Sequence, residues 1–223
     1  MEKSKRRVVA KERNGKNTKS SSPRSEHAEL VKRRHEQIAV SAANVMRKKG
    51  FHQTTIRDIA RACGMSMGQL YSYINSKDDV LYLVFKHMYD ETFISRLERE
   101  EEDLTQDPVT RLRGKLYRSL KYIMEQKKSI QLVFTESRYL DKSHLQKILD
   151  LDRDYILGYW RKALSTLDVF EDHEKELNFA AAVIHYLHVF LPMRAWTLDD
   201  RSLDDSINSL IDFILRGIGI SEK

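Results

Sequence analysis

From Thr54 to Lys77 the chain reads TTIRDIARACGMSMGQLYSYINSK, and this stretch decides the fold. Thr55 and Asp58 have the spacing of a capping box, in which two side chains bond each other's backbone N–H groups at the start of a helix. Apolar side chains recur three, four and seven residues after Ile56, so they form one stripe along a short helix. Gly64 ends this helix, because glycine adopts the left-handed conformation without steric penalty.

A second capping box follows directly after Gly64. Ser66 and Gln69 have that spacing and predict another short helix, anchored by Leu70 and Ile74. Two short helices joined by a tight glycine turn are typical of a helix-turn-helix. The same arrangement also occurs as a simple corner in other helical proteins, so the residues that follow it are needed to choose between the two.

A third capping box, Ser76 to Asp79, continues the pattern and predicts a third helix. The run from Ile59 to Asp78, IARACGMSMGQLYSYINSKD, resembles the DNA-binding domain of the tetracycline-repressor (TetR/AcrR) family. This resemblance covers about residues 35–85, and beyond them it rests on size and helical layout. It implies an all-α protein of about nine helices, with an N-terminal three-helix helix-turn-helix domain and a helical ligand-binding and dimerisation domain.

Composition and charge agree with this class. The 223 residues include three prolines, eight glycines and one cysteine, so no internal disulfide can form, as is usual in a reducing cytoplasm. No apolar run reaches the roughly 18 residues of a membrane-spanning helix. The net charge is +6, and residues 1–34 alone carry twelve Lys or Arg against four Glu. This basic excess favours a polyanionic partner.

We expect three segments: a disordered basic arm over residues 1–25, the DNA-binding domain over 26–80, and the effector-binding and dimerisation domain over 81–223. The arm either contacts DNA phosphates or only keeps the protein in solution, and the sequence leaves both open. From Ser76 a long helix is predicted to reach about residue 99 and to act as a lever between the two domains.

The second helix of the helix-turn-helix is predicted to read DNA. A step of about 100° per residue places Gly68 and Ser72 opposite Leu70, with Gln69 and Tyr71 beside them. Small and polar groups on this face suit base edges and phosphates in a major groove. The predicted DNA-binding residues are Arg33, Arg34, Thr55, Arg57, Ser66, Met67, Gly68, Gln69, Tyr71, Ser72, Tyr73 and Lys77.

Four of these residues carry more specific expectations. Arg33 and Arg34 are expected at the front of the first helix, and the resemblance implies a phosphate contact for Lys77. Gln69 has two open roles: its amide could pair with an adenine edge, or it could turn back on Ser66 as part of the cap.

The C-terminal part is predicted to contain the dimer interface. Residues 174–196 are apolar nearly all round, and such a helix must be covered on more than one side. With a final helix from Ser202 to Gly217 it resembles the four-helix dimer interface of the family. The predicted interface residues are His188, Trp196, Ile207, Leu210, Ile211 and Ile214.

The effector pocket is predicted from aromatic residues and a few polar ones. They are Tyr122, Phe134, Arg138, Tyr155, Tyr159 and His185. They suggest a small apolar or aromatic effector, acidic or uncharged, for which an acyl chain or acyl thioester is a candidate. For each residue taken singly, plain core packing is the alternative.

Signals for enzymes and metals are absent from the sequence. It contains no G-x-S-x-G, no phosphate-binding glycine loop and no pair of cysteines for a metal. His185 and His188 lack the partners of a zinc motif, and the acids at 150, 152 and 154 lack the glycine and final glutamate of a calcium loop. We therefore predict no metal, no cofactor and no enzymatic activity.

The sequence as a whole predicts a cytoplasmic, homodimeric transcriptional regulator, in most such proteins a repressor. Its expected partners are a palindromic double-stranded DNA operator and a small-molecule effector whose binding releases the operator, with no membrane involved. Two other classes stay open. One is a DNA-binding adaptor whose C-terminal half binds a protein, and the other is an enzyme.

Overall fold

The computed structural model describes residues 23–89, 104–198 and 200–220, and within these ranges the chain forms nine helices and no β-strand. This confirms the predicted all-α class and the number of helices. Most of the predicted basic arm, residues 1–22, lies outside the described part. So do residues 90–103, which include the end of the predicted lever helix.

The helices before residue 90 are α1 (Pro23–Lys49), α2 (Ile56–Cys63), α3 (Met67–Tyr71) and α4 (Lys77–His87). Those after residue 103 are α5 (Pro108–Glu125), α6 (Lys127–Glu136), α7, α8 (Glu174–Arg194) and α9 (Leu203–Gly217). Helix α7 is continuous from Lys142–Leu151 through a π-helical turn at Asp152–Leu157 to Gly158–Leu164.

Three capping boxes begin α2, α3 and α4 where the sequence predicts them. In the first, Asp58 N donates to Thr55 Oγ1 and Thr55 N donates to Asp58 Oδ2, both over 3.1 Å. The bonds from Thr55, followed by the one from Lys49, lower the pKa of the Asp58 carboxyl to about 2. Gly64 has φ 65° and ψ 29°, the left-handed conformation that turns the chain from α2 into α3.

The N-terminal core holds α3 in place. Helix α1 packs across α2 and α4, and Ile38, Ile59 and Leu81 are completely buried between them. Leu70 of α3 is also completely buried, and Phe51 closes the core at 5% exposure. Burial of a side chain of this size stabilises the fold by about 1.5–3 kcal/mol relative to exposure. One face of α3 is thereby fixed inward and the opposite face is left outward.

The C-terminal core is built around Trp160, which is completely buried together with Leu116 and Leu120 of α5. Helix α8 contacts α5, α6, α7 and α9. Helix α8 continues through Pro192 to Arg194. Gln131 Nε2 donates to Pro192 O over 2.9 Å, and this hydrogen bond joins α6 to the end of α8. Among the described helices, none has both the length and the apolar character needed to cross a membrane.

The two cores meet along α6 and α7. Leu132, Val133 and Ile148 are buried with the N-terminal helices, whereas Ile130 and Ile156 belong to the C-terminal core. Helix α6 therefore contributes to both cores. The predicted domain boundary at residue 80 falls within α4, and the buried side chains of α4 beyond it still belong to the N-terminal core.

Candidate functional sites

Helix α3 presents a small exposed surface opposite its buried anchor, Leu70. Met67 is 37% exposed and Tyr71 is 50% exposed, and Gly68 and Ser72 are exposed beside them. The fold thus brings together the residues predicted for the outer face of the reading helix. The surface is small and polar with one phenol, which suits contact with a major groove.

Gln69 forms part of the capping box of α3. Its Oε1 accepts from Ser66 N over 2.9 Å, and Ser66 Oγ accepts from Gln69 N over 3.2 Å. Because Oε1 faces the cap, the two Nε2 hydrogens are what this side chain offers to DNA. Bidentate pairing with adenine needs both halves of the amide, whereas a donor alone fits guanine O6 or N7, or thymine O4.

Lys77 lies in the first turn of α4, and its ammonium points toward the loop between α1 and α2. Nζ donates to His52 O over 3.2 Å and lies 4.2 Å from the centroid of the Phe51 ring. Burial lowers the pKa of Lys77, and the nearby carboxylates of Asp78 and Glu136 act in the opposite direction. The Lys77 side chain, for which a phosphate contact is predicted, is therefore held against this loop.

The other predicted DNA-binding residues lie on α1, on α2 and at the end of α3. Because α1 begins at Pro23, Arg33 and Arg34 lie about three turns into the helix, not at its front as predicted. Arg33 is exposed, and Arg34 Nη1 donates to Gln37 Oε1 over 2.8 Å. Tyr73 is half-buried, and its carbonyl accepts from His35 Nε2 over 3.2 Å. Thr55, Arg57 and Ser66 are exposed.

A cavity lies between the end of α4 and helices α5 to α8. The cavity is small, with a volume of about 50 Å³. It is lined by Met88, Tyr89, Tyr122, Ile123, Gln126, Ile130, Val133, Phe134, Ile156, His185, His188 and Val189. These lining residues are mainly apolar and include no Lys or Arg.

Three polar side chains form a cluster at one wall of this cavity. His185 Nε2 lies 2.9 Å from Asp152 Oδ1, and the Tyr89 hydroxyl also bonds Asp152. Burial and the charge of Asp152 raise the pKa of Tyr89, so its hydroxyl stays protonated and donates to the carboxylate. The cluster places a carboxylate directly behind two of the lining residues.

His188, predicted at the dimer interface, is buried inside its own subunit, and this corrects the prediction. Nδ1 lies 2.7 Å from Ile184 O, and Nε2 lies 2.7 Å from Ser119 Oγ. Because a carbonyl only accepts, Nδ1 carries the hydrogen and Nε2 accepts from the serine hydroxyl. Burial lowers the pKa of His188 to about 4, which leaves it neutral near pH 7.

The cavity contains half of the predicted pocket residues, namely Tyr122, Phe134 and His185. Arg138 does not line it, since it lies in the turn after α6 with its guanidinium 4.8 Å from the Tyr139 ring. Tyr155 is 47% exposed, because it lies in the π-helical turn of α7, where the α-helical period does not hold. Tyr159 packs edge-on against Trp160 at 5.0 Å between ring centroids.

The predicted dimer-interface residues of α9 also need correction. Leu210, Ile207, Ile211 and Ile214 are at most 8% exposed and pack into the core of their own subunit. Trp196 is 65% exposed. Other large apolar side chains of α8 and α9 point outward; we call them the α8–α9 surface, and they are Phe179, Val183, Tyr186, Phe190 and Phe213.

The sequence reasoning missed Tyr89, Gln126 and Asp152. The sequence interpretation treats Asp152 only as one of three alternating acids. Its position among the inward-facing residues of α7 indicates a polar site, because an acid there requires a buried partner. Its partner His185 comes from α8, and only the packing of the two helices brings them together.

The segment with the capping boxes also matches a known protein family. Residues 38–82 match the family described as "Bacterial regulatory proteins, tetR family". This segment belongs to the TetR family. This confirms the predicted family, and it agrees with the prediction that the protein is not an enzyme. Over 83 residues the chain is 40% identical to the HTH-type transcriptional regulator HbdR of Aromatoleum sp. (strain CIB), a match that spans 37% of this chain and 35% of HbdR.

Solved structures share the fold of this chain over most of its length. FadR from Bacillus subtilis, in complex with stearoyl-CoA, has a TM-score of 0.61 and 20% identity, and the match covers 81% of this chain and 97% of FadR. AibR, in complex with isovaleryl coenzyme A and operator DNA, has a TM-score of 0.59 and 19% identity, with 81% and 97% covered.

Proposed function

We propose that this chain is a sequence-specific, DNA-binding transcriptional regulator that acts as a homodimer and releases its operator when it binds an acyl thioester. The observation that carries the proposal is helix α3. It lies in the segment that matches the TetR family, and it exposes Met67, Tyr71 and Ser72 opposite a completely buried Leu70. A rigid helix with such a face can enter a major groove.

The α8–α9 surface supports a homodimer. Phe179 is 72% exposed, Tyr186 69% and Phe213 61%, and they lie on two neighbouring helices. Contiguous apolar surface of this kind is typical of an interaction site. A second copy is the partner we propose, because a palindromic operator needs two reading helices related by a two-fold axis, about 34–36 Å apart.

The cavity supports an acyl effector. Its lining is mainly apolar, which suits an acyl chain. FadR and AibR, which share the fold, bind stearoyl-CoA and isovaleryl coenzyme A. We extend that chemical class to this chain as part of the proposal.

The polar cluster favours a thioester over a free fatty acid. A carboxylate near His185 would face the Asp152 carboxylate, with no Lys or Arg among the lining residues to offset the repulsion. His188 is neutral and both of its nitrogens are engaged. An uncharged thioester carbonyl needs only one donor, which Gln126 can provide from the cavity lining.

The test begins with selection of bound sequences from a random DNA library by the full chain. Fluorescence anisotropy then measures binding to the selected site with stearoyl-CoA, isovaleryl coenzyme A, the matching free acids and coenzyme A alone. We expect one acyl-CoA to weaken DNA binding by roughly 5–150-fold, with little effect of the acids or of coenzyme A. Failure to enrich any sequence would exclude the regulator, and equal release by the free acid would exclude the thioester preference.

A matched pair of variants isolates the role of the cluster. Asp152→Asn removes the carboxylate behind His185, so the free acid should bind more tightly while the acyl-CoA affinity stays unchanged. Asp154→Asn is the control, because Asp154 is exposed and is paired only with Arg153, at 3.0 Å. An equal effect of both variants would show that total charge, not the cluster, sets the preference.

A further inference from the structure

Helix α6 touches both the cavity and the DNA-reading domain. Ile130, Val133 and Phe134 of α6 line the cavity. Directly after α6, the short 3₁₀ turn Ser137–Tyr139 carries Tyr139 to the loop between α1 and α2. One rigid element of ten residues therefore spans from the proposed effector site to the N-terminal domain.

The contact at the end of α6 is a stack of rings that ends on Lys77. The Tyr139 ring stacks on Phe51 with centroids 6.1 Å apart and an interplanar angle of 20°. It also meets the ring of His52 edge-on, at 4.1 Å and 87°. Lys77 contacts the same two residues as Tyr139. Its Nζ lies 4.2 Å from the Phe51 ring centroid and donates to His52 O over 3.2 Å. A shift of the Tyr139 ring therefore changes the position of the Lys77 ammonium through Phe51 and His52, which lie between them.

The last residue of α6, Glu136, adds a charge to this contact. One of its carboxylate oxygens, Oε2, is buried and has no hydrogen-bond partner among the described residues. The Glu136 charge acts on Lys77 and favours its ammonium form. A partly buried carboxylate whose charge acts on this lysine attracts the same ammonium that a DNA phosphate attracts, so its position changes how readily Lys77 binds DNA.

A second contact fixes the other end of α6. Arg47 Nη1, near the end of α1, donates to Ser129 Oγ in the first turn of α6 over 3.1 Å. Helix α6 is therefore attached to the N-terminal domain at both ends, while its middle faces the cavity. Because the cavity volume is small, a ligand of acyl size has to displace α6 or the helices opposite it.

From these contacts we propose that α6 transmits effector binding directly to Lys77 and the 51–52 loop, with Tyr139 and Glu136 as the positioning residues. The route reaches the first turn of α4 directly at Lys77 and needs no tilt of α4 as a lever, and it rests on the proposed effector response. A ligand that favours one position of α6 changes the orientation of the Phe51, His52 and Lys77 group, and operator affinity changes with it.

The experiment measures coupling, defined as the ratio of operator dissociation constants with and without saturating stearoyl-CoA. For Tyr139→Ala we expect the coupling to fall to less than about a third of the wild-type ratio. Stearoyl-CoA affinity of the DNA-free protein should stay within about twofold, since Tyr139 does not line the cavity. Tyr139→Phe keeps the ring stack and should restore wild-type coupling. Tyr155→Ala, at an exposed tyrosine of α7, is the matched control and should have no effect.

A second variant covers the case in which Tyr139→Ala does not fold. Glu136→Gln keeps the shape and removes the charge, so it should tighten operator binding several-fold and reduce the coupling. Wild-type coupling in both Tyr139→Ala and Glu136→Gln would overturn the inference. Effector binding would then be transmitted by a tilt of the lever helix α4. A wild-type protein that binds its operator but never responds to an acyl-CoA would instead overturn the proposed effector, and this inference with it.

Discussion

Asp79 Oδ1 lies 3.4 Å from His144 Nε2, and this contact joins α4 to the first turn of α7. The other oxygen of Asp79 completes the third capping box, where it accepts from Ser76 N over 3.1 Å and from Asn75 N over 2.6 Å. His144 in turn lies 2.5 Å from Asp141 through Nδ1, and its ring lies 4.8 Å from the ring of Tyr82. One carboxylate therefore serves both the local helix start and the junction of the two cores.

This double role predicts unequal effects of two substitutions. Asp79→Ala removes the cap and the contact to His144 and should lower the free energy of unfolding by about 1–2 kcal/mol. His144→Phe keeps a ring against Tyr82 and loses the contacts to Asp79 and Asp141, so it should cost less than about 1 kcal/mol. Urea denaturation of both variants checks the order. A larger loss for His144→Phe would mean that the junction outweighs the cap.

The buried His188 predicts a loss of stability in acid. Its pKa is about 4 in the fold against 6.5 for the free side chain, so the unfolded chain takes up the proton first as the pH falls. The contribution is constant above pH 6.5 and is lost progressively between 6.5 and 4, by about 3 kcal/mol in total. Unfolding free energies at several pH values should show this slope, and His188→Gln should flatten it. An unchanged slope in that variant would assign it to other groups.

Gln69 allows the cap and the DNA contact to be separated. Gln69→Glu keeps an oxygen for Ser66 N, so stability should be retained, but the added negative charge should weaken binding to all DNA sequences. Gln69→Ala should lower stability by about 0.5–1 kcal/mol through loss of the cap. Selection of bound sequences with Gln69→Ala decides whether the Nε2 donor reads a base, since an unchanged preferred sequence would leave the residue as a cap alone.

The α8–α9 surface predicts where a charge separates the dimer. Phe213→Glu places a charge on an exposed side chain, so the subunit should still fold while the dimer dissociates. Sedimentation equilibrium measures the mass, and helical circular dichroism confirms folding. Leu149→Glu is the control, because Leu149 is 52% exposed on α7, away from this surface. A Phe213→Glu protein that remains dimeric would place the interface elsewhere.

The basic arm predicts a salt effect. Residues 1–22 carry eight Lys or Arg against two Glu. Their deletion should weaken operator binding and flatten its dependence on salt. The logarithm of the binding constant falls by about 0.9 per phosphate contact for each tenfold rise in salt. Titrations at several salt concentrations measure this slope for both chains. Identical slopes would make the arm a solubilising tail.

Local rules were sufficient for helices α2 to α4. The three capping boxes and Gly64 act over three or four residues, so their spacing in the sequence fixes where α2, α3 and α4 begin. The period of the helix then determines that Leu70 is buried and Ser72 exposed. For this reason the reading helix and its outer face could be predicted before any tertiary contact was known.

Tertiary structure alone decided the cavity, the inward face of α8 and the contact of α6 with Lys77. A helix that is apolar all round has no polar face to mark its outside, so the sequence could not show that His188 points inward while Phe179 and Tyr186 point outward. Asp152 and His185, like Tyr139 and Phe51, are far apart in the chain and meet only because whole helices pack together. The spacing of apolar residues in the sequence shows which residues share one face of a helix. Whether that face points inward depends on the neighbouring helices that exclude water from it.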